Sequence, residues 1–239
     1  MTGNILNAAA IVLGGIAGVT VRKPIPAGSQ NFFKLALGAV TVFVGLRLTW
    51  QSVNGSAAQV GKQVLILMLA LILGRLVGRL LQLQKVSNRV GEFARDRIAR
   101  ASENKATGSD GFNVAALLFC AAPLAVLGAA ADGLNGDIAP FAIKAAMDAL
   151  AAMSFAAMFG WTVALAALPV FVYQGTLTLL CAQFARPLLE QHQLLDPVNA
   201  TNGLLMIYVA VVIFEIRKVE LADYLPALAV APLLAWLWR

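Results

Sequence analysis

Apolar residues of this chain fall into eight long runs that are separated by short polar segments. A helix needs about 20 mostly apolar residues to cross a bilayer, and most of the runs approach this length. They cover residues 5–21, 32–50, 63–83, 112–131, 140–159, 161–185, 203–216 and 224–238. The alternating pattern of membrane β-strands is missing from them. The pattern therefore predicts an all-α, polytopic transmembrane helical bundle of about eight helices, forming a single domain over residues 1–239.

One long polar segment, residues 84–111, interrupts the apolar runs. Its part 86–101 places apolar residues at helical spacing among Arg, Glu and Asp, which is typical of an amphipathic helix on a membrane surface. Residues 104–111 are rich in Gly, Ser and Thr, which favours a flexible connector. We expect 84–111 to be a cytoplasmic linker between two halves of the bundle, with regulation or lipid contact as the alternative role.

Composition strengthens the membrane interpretation. Hydrophobic residues make up 60% of the chain, charged residues 13%, and the mean hydropathy is +0.79. Soluble domains hold roughly 45–50% apolar and about 25% charged residues. No Lys or Arg precedes the first apolar run, so we expect an uncleaved helix rather than a signal peptide.

The net charge of +6 is best explained by membrane topology, and no nucleic-acid partner is expected. With the N-terminus outside, thirteen of the 18 basic residues lie at inner helix ends. The positive-inside rule then places both termini outside and residues 84–111 in the cytoplasm. The localisation expected from this topology is the bacterial inner membrane.

Four ionisable residues lie in or beside the fourth and fifth runs: Asp132, Asp137, Lys144 and Asp148. Such groups are costly at membrane depth, so each is a candidate site residue. Lys144 and Asp148 are four residues apart and share one helix face. Asp148 lies about 12 Å beyond Pro140 along a helix. The pair is either a structural ion pair or a site that binds ions or solute, and Asp137 is alternatively a helix cap.

Proline and small residues point to local features of the helices. Pro123 and Pro169 lie inside apolar runs, where proline breaks or kinks a helix. We expect two breaks that face one another near mid-bilayer, as in transporter binding sites. The four-residue spacings of Gly14 with Gly18 and of Gly74 with Gly78 predict close helix packing. Three neutral side chains are expected to form hydrogen bonds to a solute. They are Asn7 and, after the second proline, Tyr173 and Gln174.

The residue types and their spacing do not support most kinds of catalytic or metal-binding site. Cys120 and Cys181 lie in apolar runs without metal-type spacing, and His192 is the only histidine, so no metal, cofactor or catalytic residue is expected. There is no P-loop. Asp132-Gly133 followed by Asp148 partly resembles the metal motif of phospholipid head-group transferases. However, the Ala-Arg of that motif does not follow at the proper spacing. In addition, Lys144 places a cation beside the carboxylates that would have to bind the metal.

Ordered motifs carry a family resemblance over essentially the whole chain. They are Thr2-Gly3-Asn4, Phe119-Cys120, Pro123-Leu124-Ala125-Val126-Leu127-Gly128, Asp132-Gly133-Leu134, Gly136-Asp137, Lys144, Asp148, Leu168-Pro169-Val170 and Tyr173-Gln174-Gly175. This set resembles the YqgA/YdfK-type family of bacterial inner-membrane proteins, which carry domain of unknown function 554. The resemblance implies a membrane protein with transport as the suspected activity, and it supplies no catalytic residues.

The functional hypothesis is a secondary transporter of a small polar or charged solute, not an enzyme, with the lipid bilayer and a small molecule or ion as partners. Asp148 and Lys144 form its centre, Asp132 and Asp137 attract cations to its outer end, and Tyr173, Gln174 and Asn7 bind solute. A short internal match, with a shift of about five helices, is typical of inverted-repeat transporters. The alternatives are a non-transporting structural or signalling membrane protein and a metal-dependent lipid head-group transferase. Neither the substrate nor the oligomeric state is indicated.

Overall fold

A computed structural model describes residues 1–21, 26–102 and 108–238, and within these ranges every regular element is a helix. The α-helices are α1 (Thr2–Val21), α2 (Ala27–Ser52), α3 (Ala57–Leu80), α4 (Leu83–Ser102), α5 (Gly108–Ala121), α6 (Pro123–Asn135), α7 (Ala139–Phe159), α8 (Ala167–Leu180), α9 (Arg186–Gln191), α10 (Leu195–Ile213), α11 (Leu221–Tyr224) and α12 (Ala227–Leu237). A 3₁₀ helix, Trp161–Ala166, precedes α8, and a π-helical turn, Cys181–Ala185, follows it.

The all-α polytopic bundle is confirmed, although fewer helices than expected qualify as membrane spans. Among the described residues, six helices are long and apolar enough: Thr2–Val21, Gly28–Ser52, Ala57–Leu80, Ala139–Phe159, Trp161–Gln191 and Leu195–Ile213. The bent pair of α5 and α6 makes a seventh if it counts as one span. The eighth predicted run forms only the short helices α11 and α12, because Pro226 separates them and leaves 11 residues in α12.

Helix α7 lies between two buried apolar clusters and contributes to both. One cluster joins it to α1, α5 and α8, with Ile11, Phe119 and Val170 among its members. The other joins it to α2, α6 and α10 and includes Ile143 and Leu205. Many large apolar side chains instead lie on the outer surface, as lipid-facing residues of a membrane bundle do; Trp50, Leu80, Leu168 and Phe184 are examples.

Close packing at the glycine pairs is confirmed. A Cβ atom at Gly14 or Gly18 would collide with the backbone carbonyl of Ala149 or Met153, so α1 and α7 meet backbone to backbone. The residues follow one another in the same order on both helices, and α1 and α7 are therefore parallel. In the same way, Gly74 and Gly78 bring α3 against the backbone of α12 and α11. Small residues allow this approach, and packing of this kind holds membrane helices together.

The remaining helix directions follow from similar contacts. Gly38 and Gly45 of α2 lie against Phe214 and Gly203 of α10, so these two helices are antiparallel. One end of the bundle, here called the Met1 end, carries Met1, the connections 53–56, 136–138 and 192–194, and Trp238, which contacts Lys62. Both described chain ends thus lie on one side. The opposite end, which carries α4, is called the α4 end.

Helix α4 has the predicted amphipathic character and is fixed to the bundle at both of its ends. The Gln84 backbone N–H donates to Asp223 Oδ1 at 2.8 Å, and Gln84 Oε1 accepts from the Ala222 N–H at 3.1 Å. Near its other end, Arg97 pairs with Asp110 of α5 at 2.7 Å. The expected connector 104–111 is shorter than predicted, since α5 already begins at Gly108. Residues 103–107 lie outside the described residues, as do the basic residues Arg22, Lys23 and Arg239 of the topology argument.

Only one of the two expected proline breaks is found. Pro123 is the first residue of α6, and the axes of α5 and α6 differ by 56° there. Pro169 lies in the first turn of α8, and the span Trp161–Gln191 continues through it. The preceding 3₁₀ helix explains this difference, because a proline is tolerated near the start of an α-helical segment. The prediction of two facing breaks is therefore wrong for Pro169.

Candidate functional site

A buried ion pair lies at the middle of α7. Lys144 Nζ is 2.7 Å from Asp148 Oδ2, and the side chains are 1% and 9% exposed. Asp148 is about 14 Å along the helix from Ala139, at 1.5 Å per residue. The pair thus lies near the centre of a span that crosses a hydrocarbon layer roughly 30 Å thick.

Helices α1 and α8 bring amide side chains to the pair. Asn7 Nδ2 donates to Asp148 Oδ2 at 3.1 Å and to Gln174 Oε1 at 3.0 Å. An Asn amide carries two hydrogens, so one group serves both acceptors. Asn7 and Gln174 are fully buried. The arrangement depends on the close approach of α1 to α7, which places position 7 beside position 148.

Four buried polar atoms on α1 and α8 have no hydrogen-bond partner among the described residues. They are Asn4 Oδ1, Asn7 Oδ1, Gln174 Nε2 and Thr178 Oγ1. An unsatisfied buried donor or acceptor costs about 1–3 kcal/mol, and native proteins hold few of them. Two of these atoms, on Asn7 and Gln174, belong to side chains that are hydrogen-bonded into the group at Asp148, which favours a site whose remaining partner is a polar solute with both donors and acceptors.

A row of polar groups along α1 extends from the Met1 end to the ion pair. Asp132 Oδ2 accepts from the Gly3 N–H at 3.2 Å and lies 2.9 Å from the Met1 ammonium group. Asn4 Nδ2, less than one turn further along α1, donates to the carbonyl of Phe171 at 2.9 Å. Asn7 then reaches the ion pair. We call Asn4, Asn7, Lys144, Asp148, Gln174 and Thr178 the central cluster.

The break between α5 and α6 lies beside the central cluster. The Phe119 ring, near the last turn of α5, has its centroid 5.9 Å from Lys144 Nζ, within the range of a cation–π contact. Pro123, four residues later, begins α6. Interrupted helices at membrane depth occur where they line a binding site in secondary transporters.

The ion pair of the central cluster is buried in this structure. Five surface cavities formed by the described residues have volumes of about 300 to 670 Å³, and neither Lys144 nor Asp148 lines any of them. None of these five cavities therefore gives access to the ion pair.

Three predicted site residues do not join the central cluster, and one of them is Asp132, which contacts Gly3 and Met1 at the Met1 end. Asp137 forms an ion pair with Arg47, and its Oδ1 accepts from the Ala139 N–H at 3.0 Å at the start of α7. The N-cap residue of α7 is Ile138, so Asp137 lies one residue before the cap position and accepts from the first helical N–H. Tyr173 is 38% exposed on the outer face of α8 and has no hydrogen bond within the described part of the chain. Adjacent helical residues point about 100° apart, which is why Gln174 faces inward and Tyr173 outward.

Sequence reasoning missed Asn4 and Thr178 as cluster members, as well as Asn202. Asn202 is buried and donates from Nδ2 to the Leu127 carbonyl at 3.1 Å, tying α10 to α6. A usable signal was present for the first two residues. Asn4 is three residues before Asn7, and Thr178 is four after Gln174, so each pair shares a face of an apolar run.

Asp132 and Asp148, which partly resemble a head-group-transferase motif in sequence, do not form a common site. Asp132, Asp137 and Asp148 each pair with a different cation, namely Met1, Arg47 and Lys144. In the described ranges, no group of three or more His, Cys, Asp and Glu residues is placed to hold a metal. Cys120 and Cys181 are free thiols.

Comparison with known proteins places this bundle in a family. Residues 2–236 match the proteins of unknown function designated DUF554. The chain belongs to the DUF554 family. It is 27% identical over 233 residues to the uncharacterized membrane protein YdfK of Bacillus subtilis (strain 168), covering 97% of this chain and 94% of YdfK. It is 28% identical over 238 residues to the uncharacterized protein YqgA of Escherichia coli (strain K12), covering 99% and 97%. No solved structure matches this DUF554 chain significantly.

Proposed function

We propose that this DUF554 protein is a secondary transporter that moves a small polar or charged solute across the bacterial inner membrane. The observation that carries the proposal is the central cluster, an ion pair at mid-span on α7 together with buried polar atoms of α1 and α8 that have no partner among the described residues. Ionisable groups facing the interior of a membrane bundle typically mark ion or substrate pathways. The proposal assigns no catalytic residue and no cofactor.

A purely structural role explains the ion pair less well. Lys144 and Asp148 belong to the same helix, so their bond joins no two helices. Contact between helices comes instead from Asn7, which reaches Asp148 from α1. A buried ion pair is generally no more stabilising than well-packed apolar residues. An intrahelical pair at this depth therefore supports a role in binding.

Protonation of Asp148 is the proposed coupling step. A proton on Asp148 would remove the charge that holds Lys144 Nζ and would weaken the bond from Asn7, which spans the α1–α7 contact. The Cys120 thiol at the end of α5 is a further titratable group that interacts electrostatically with Lys144 and Asp148. Loss of the Asn7 bond would loosen α1 against α7 and open the central cluster towards one side.

The proposed orientation has the α4 end in the cytoplasm and the Met1 end outside. Of the basic residues that the structure describes, ten lie at the α4 end: Lys34, Arg75, Arg79, Lys85, Arg89, Arg95, Arg97, Arg100, Arg217 and Lys218. Arg47, Lys62 and Arg186 lie towards the Met1 end. The positive-inside rule favours this orientation. The five-helix internal repeat stays a sequence-based prediction.

A non-transporting structural or signalling role is supported by one observation, the exclusion of the ion pair from the surface cavities. The double variant Lys144→Met/Asp148→Asn distinguishes the two functions, because it should abolish flux in a transporter but not where the ion pair is only structural. It removes both charges together and leaves no unpaired ion, so it is expected to fold.

The test uses the full chain in liposomes with an internal pH-sensitive dye. Amino acids, carboxylates, amines and polyols are added one at a time, and proton flux is recorded. We expect at least one class to drive flux in the wild type, and we expect the folded double variant to lose it. Tyr173→Phe is the matched control, because Tyr173 lies outside the central cluster. Undiminished flux in the double variant would make the ion pair structural and overturn the proposal.

A further inference from the structure

A strongly basic pocket opens at the α4 end of the bundle. Its volume is about 670 Å³, and it lies between α3, the start of α4 and the connection 214–220. Its charged lining consists of four cations and one carboxylate, namely Arg75, Arg79, Arg217, Lys218 and Glu220. The pocket therefore carries three net positive charges, which favours an anionic occupant.

Two of the four cations, Arg75 and Arg79, are held in position by Glu220. Glu220 Oε2 accepts from Arg75 and from Arg79, each at 3.1 Å, and the Arg75 guanidinium lies 5.4 Å from the centroid of the Tyr224 ring. Arg217 and Lys218 have no ion-pair partner within the described part of the chain. One carboxylate thus orients two guanidinium groups, and two further cations stay available for an added anion.

An apolar groove continues from the basic pocket along α3. It has a volume of about 300 Å³ and shares four lining residues with the pocket: Arg75, Arg79, Tyr208 and Tyr224. Its remaining lining is Met68, Leu71, Ile72 and Leu76. Pocket and groove thus form one surface that is cationic at the bundle end and apolar towards the bundle centre.

The length of the groove fits a lipid chain. From Met68 to Arg79 the helix rises about 16 Å, at 1.5 Å per residue. Half of a hydrocarbon core roughly 30 Å thick is about 15 Å. An acyl chain that enters from the headgroup level therefore ends near Met68.

We propose that this surface binds a phospholipid with an anionic headgroup, its phosphate among the four cations and one acyl chain in the groove. Basic pockets between transmembrane helices on the cytoplasmic side are suited to anionic lipid headgroups. A free anion would use the cations but not the groove, and a zwitterionic lipid would place its own cation against three net positive charges. This inference does not depend on the transport proposal.

The test is native mass spectrometry of the full chain in detergent with three probes added separately. They are phosphatidylglycerol, phosphatidylcholine with the same acyl chains, and sn-glycerol 3-phosphate, which has no acyl chain. We expect phosphatidylglycerol to bind at least tenfold more tightly than phosphatidylcholine, and glycerol phosphate to compete poorly. Equal binding of the two lipids, or glycerol phosphate binding as tightly as phosphatidylglycerol, would overturn the proposal.

Three variants locate the site. Arg217→Gln/Lys218→Gln should weaken phosphatidylglycerol binding about thirtyfold, from the usual contribution of a basic residue at a membrane surface. Glu220→Gln should tighten binding, because the guanidinium groups of Arg75 and Arg79 lose their internal competitor. The matched control is Arg89→Gln/Arg95→Gln, which removes the same charge from α4, outside the pocket lining, and should change binding less than twofold. If the control weakens binding as much as the pocket variant, the interaction is a diffuse surface effect and the proposed site is wrong.

Discussion

Asn7 on α1 donates from Nδ2 to Asp148 Oδ2 on α7 at 3.1 Å, across two helices that run parallel and touch through glycine. The same amide group donates to Gln174 on α8. Asn7 thus links α1 to the carboxylate on α7 and to Gln174 on α8, whereas Lys144, the ionic partner of Asp148, lies on the same helix as Asp148. Any change in the charge of Asp148 therefore acts on its ion pair within α7 and also on a contact between helices.

The ion pair should show strong thermodynamic coupling. Lys144→Met leaves a buried carboxylate without its cation, and removal of one partner of such a pair costs about 3–5 kcal/mol. The double variant Lys144→Met/Asp148→Asn should recover most of this loss. Unfolding free energies from denaturant titrations in detergent measure the loss in the single variant and the recovery in the double variant. Additive losses in the two single variants and the double variant would show that the pair is not coupled.

Adjacent residues of α8 should behave differently because only one faces the central cluster. Gln174→Leu loses one interhelical hydrogen bond, worth about 0.6 kcal/mol, but also removes an unpartnered amide nitrogen. We expect its unfolding free energy to change by less than about 1 kcal/mol, while solute-driven flux disappears. Tyr173→Phe should change neither quantity. Loss of flux in Tyr173→Phe, with flux kept in Gln174→Leu, would contradict this assignment.

The packing of α3 against α11 can be tested with two glycines of one helix. A Cβ atom at Gly78 would collide with the Asp223 carbonyl, whereas one at Gly61 meets nothing within 4 Å. Gly78→Ala should destabilise the bundle by about 1–3 kcal/mol, as overpacking does. Gly61→Ala should be neutral or stabilising by up to about 1 kcal/mol, from helix propensity. Thermal unfolding in detergent gives the comparison, and equal midpoints would argue against this helix contact.

Glu220 should give the α4 end a pH-dependent contribution to stability. Hydrogen bonds from Arg75 and then Arg79 lower the pKa of the Glu220 carboxyl below its ordinary value of 4.5. Because the folded-state pKa is the lower one, the contribution is present above pH 4.5 and is lost as the pH falls through the folded-state value. The difference in unfolding midpoint between wild type and Glu220→Gln should therefore shrink below pH 4.5. In an Arg75→Gln/Arg79→Gln background this pH dependence should vanish; if it persists there, another group is responsible.

The proposed orientation predicts the labelling of single cysteines in intact cells. Cys120 and Cys181 are first replaced by alanine. Asn54→Cys, in a connection at the Met1 end, should react with a membrane-impermeant thiol reagent. Glu92→Cys, exposed on α4, should react only after permeabilisation. The reverse result would invert the topology.

Local patterns in the sequence were sufficient to predict several features of the structure. Apolar run length predicted the spans, the spacing of Lys144 and Asp148 predicted their shared face, and the charges of residues 86–101 predicted the amphipathic α4. These features depend on residues within one or two helical turns, where helix geometry is fixed. The two exceptions, the short α12 and the continuous helix at Pro169, depend on neighbouring turns that hydropathy does not describe.

Only the tertiary structure decided which side chains meet. It placed Asn7, 141 residues away in sequence, against Asp148, left Tyr173 at the surface, and paired Asp137 with Arg47. The physical reason is that lipid and protein interior are both apolar, so a membrane helix does not reveal its buried face through hydropathy. Which face is buried is set by close packing between helices, here at Gly14 and Gly18, and that packing is a property of two helices together rather than of either sequence alone.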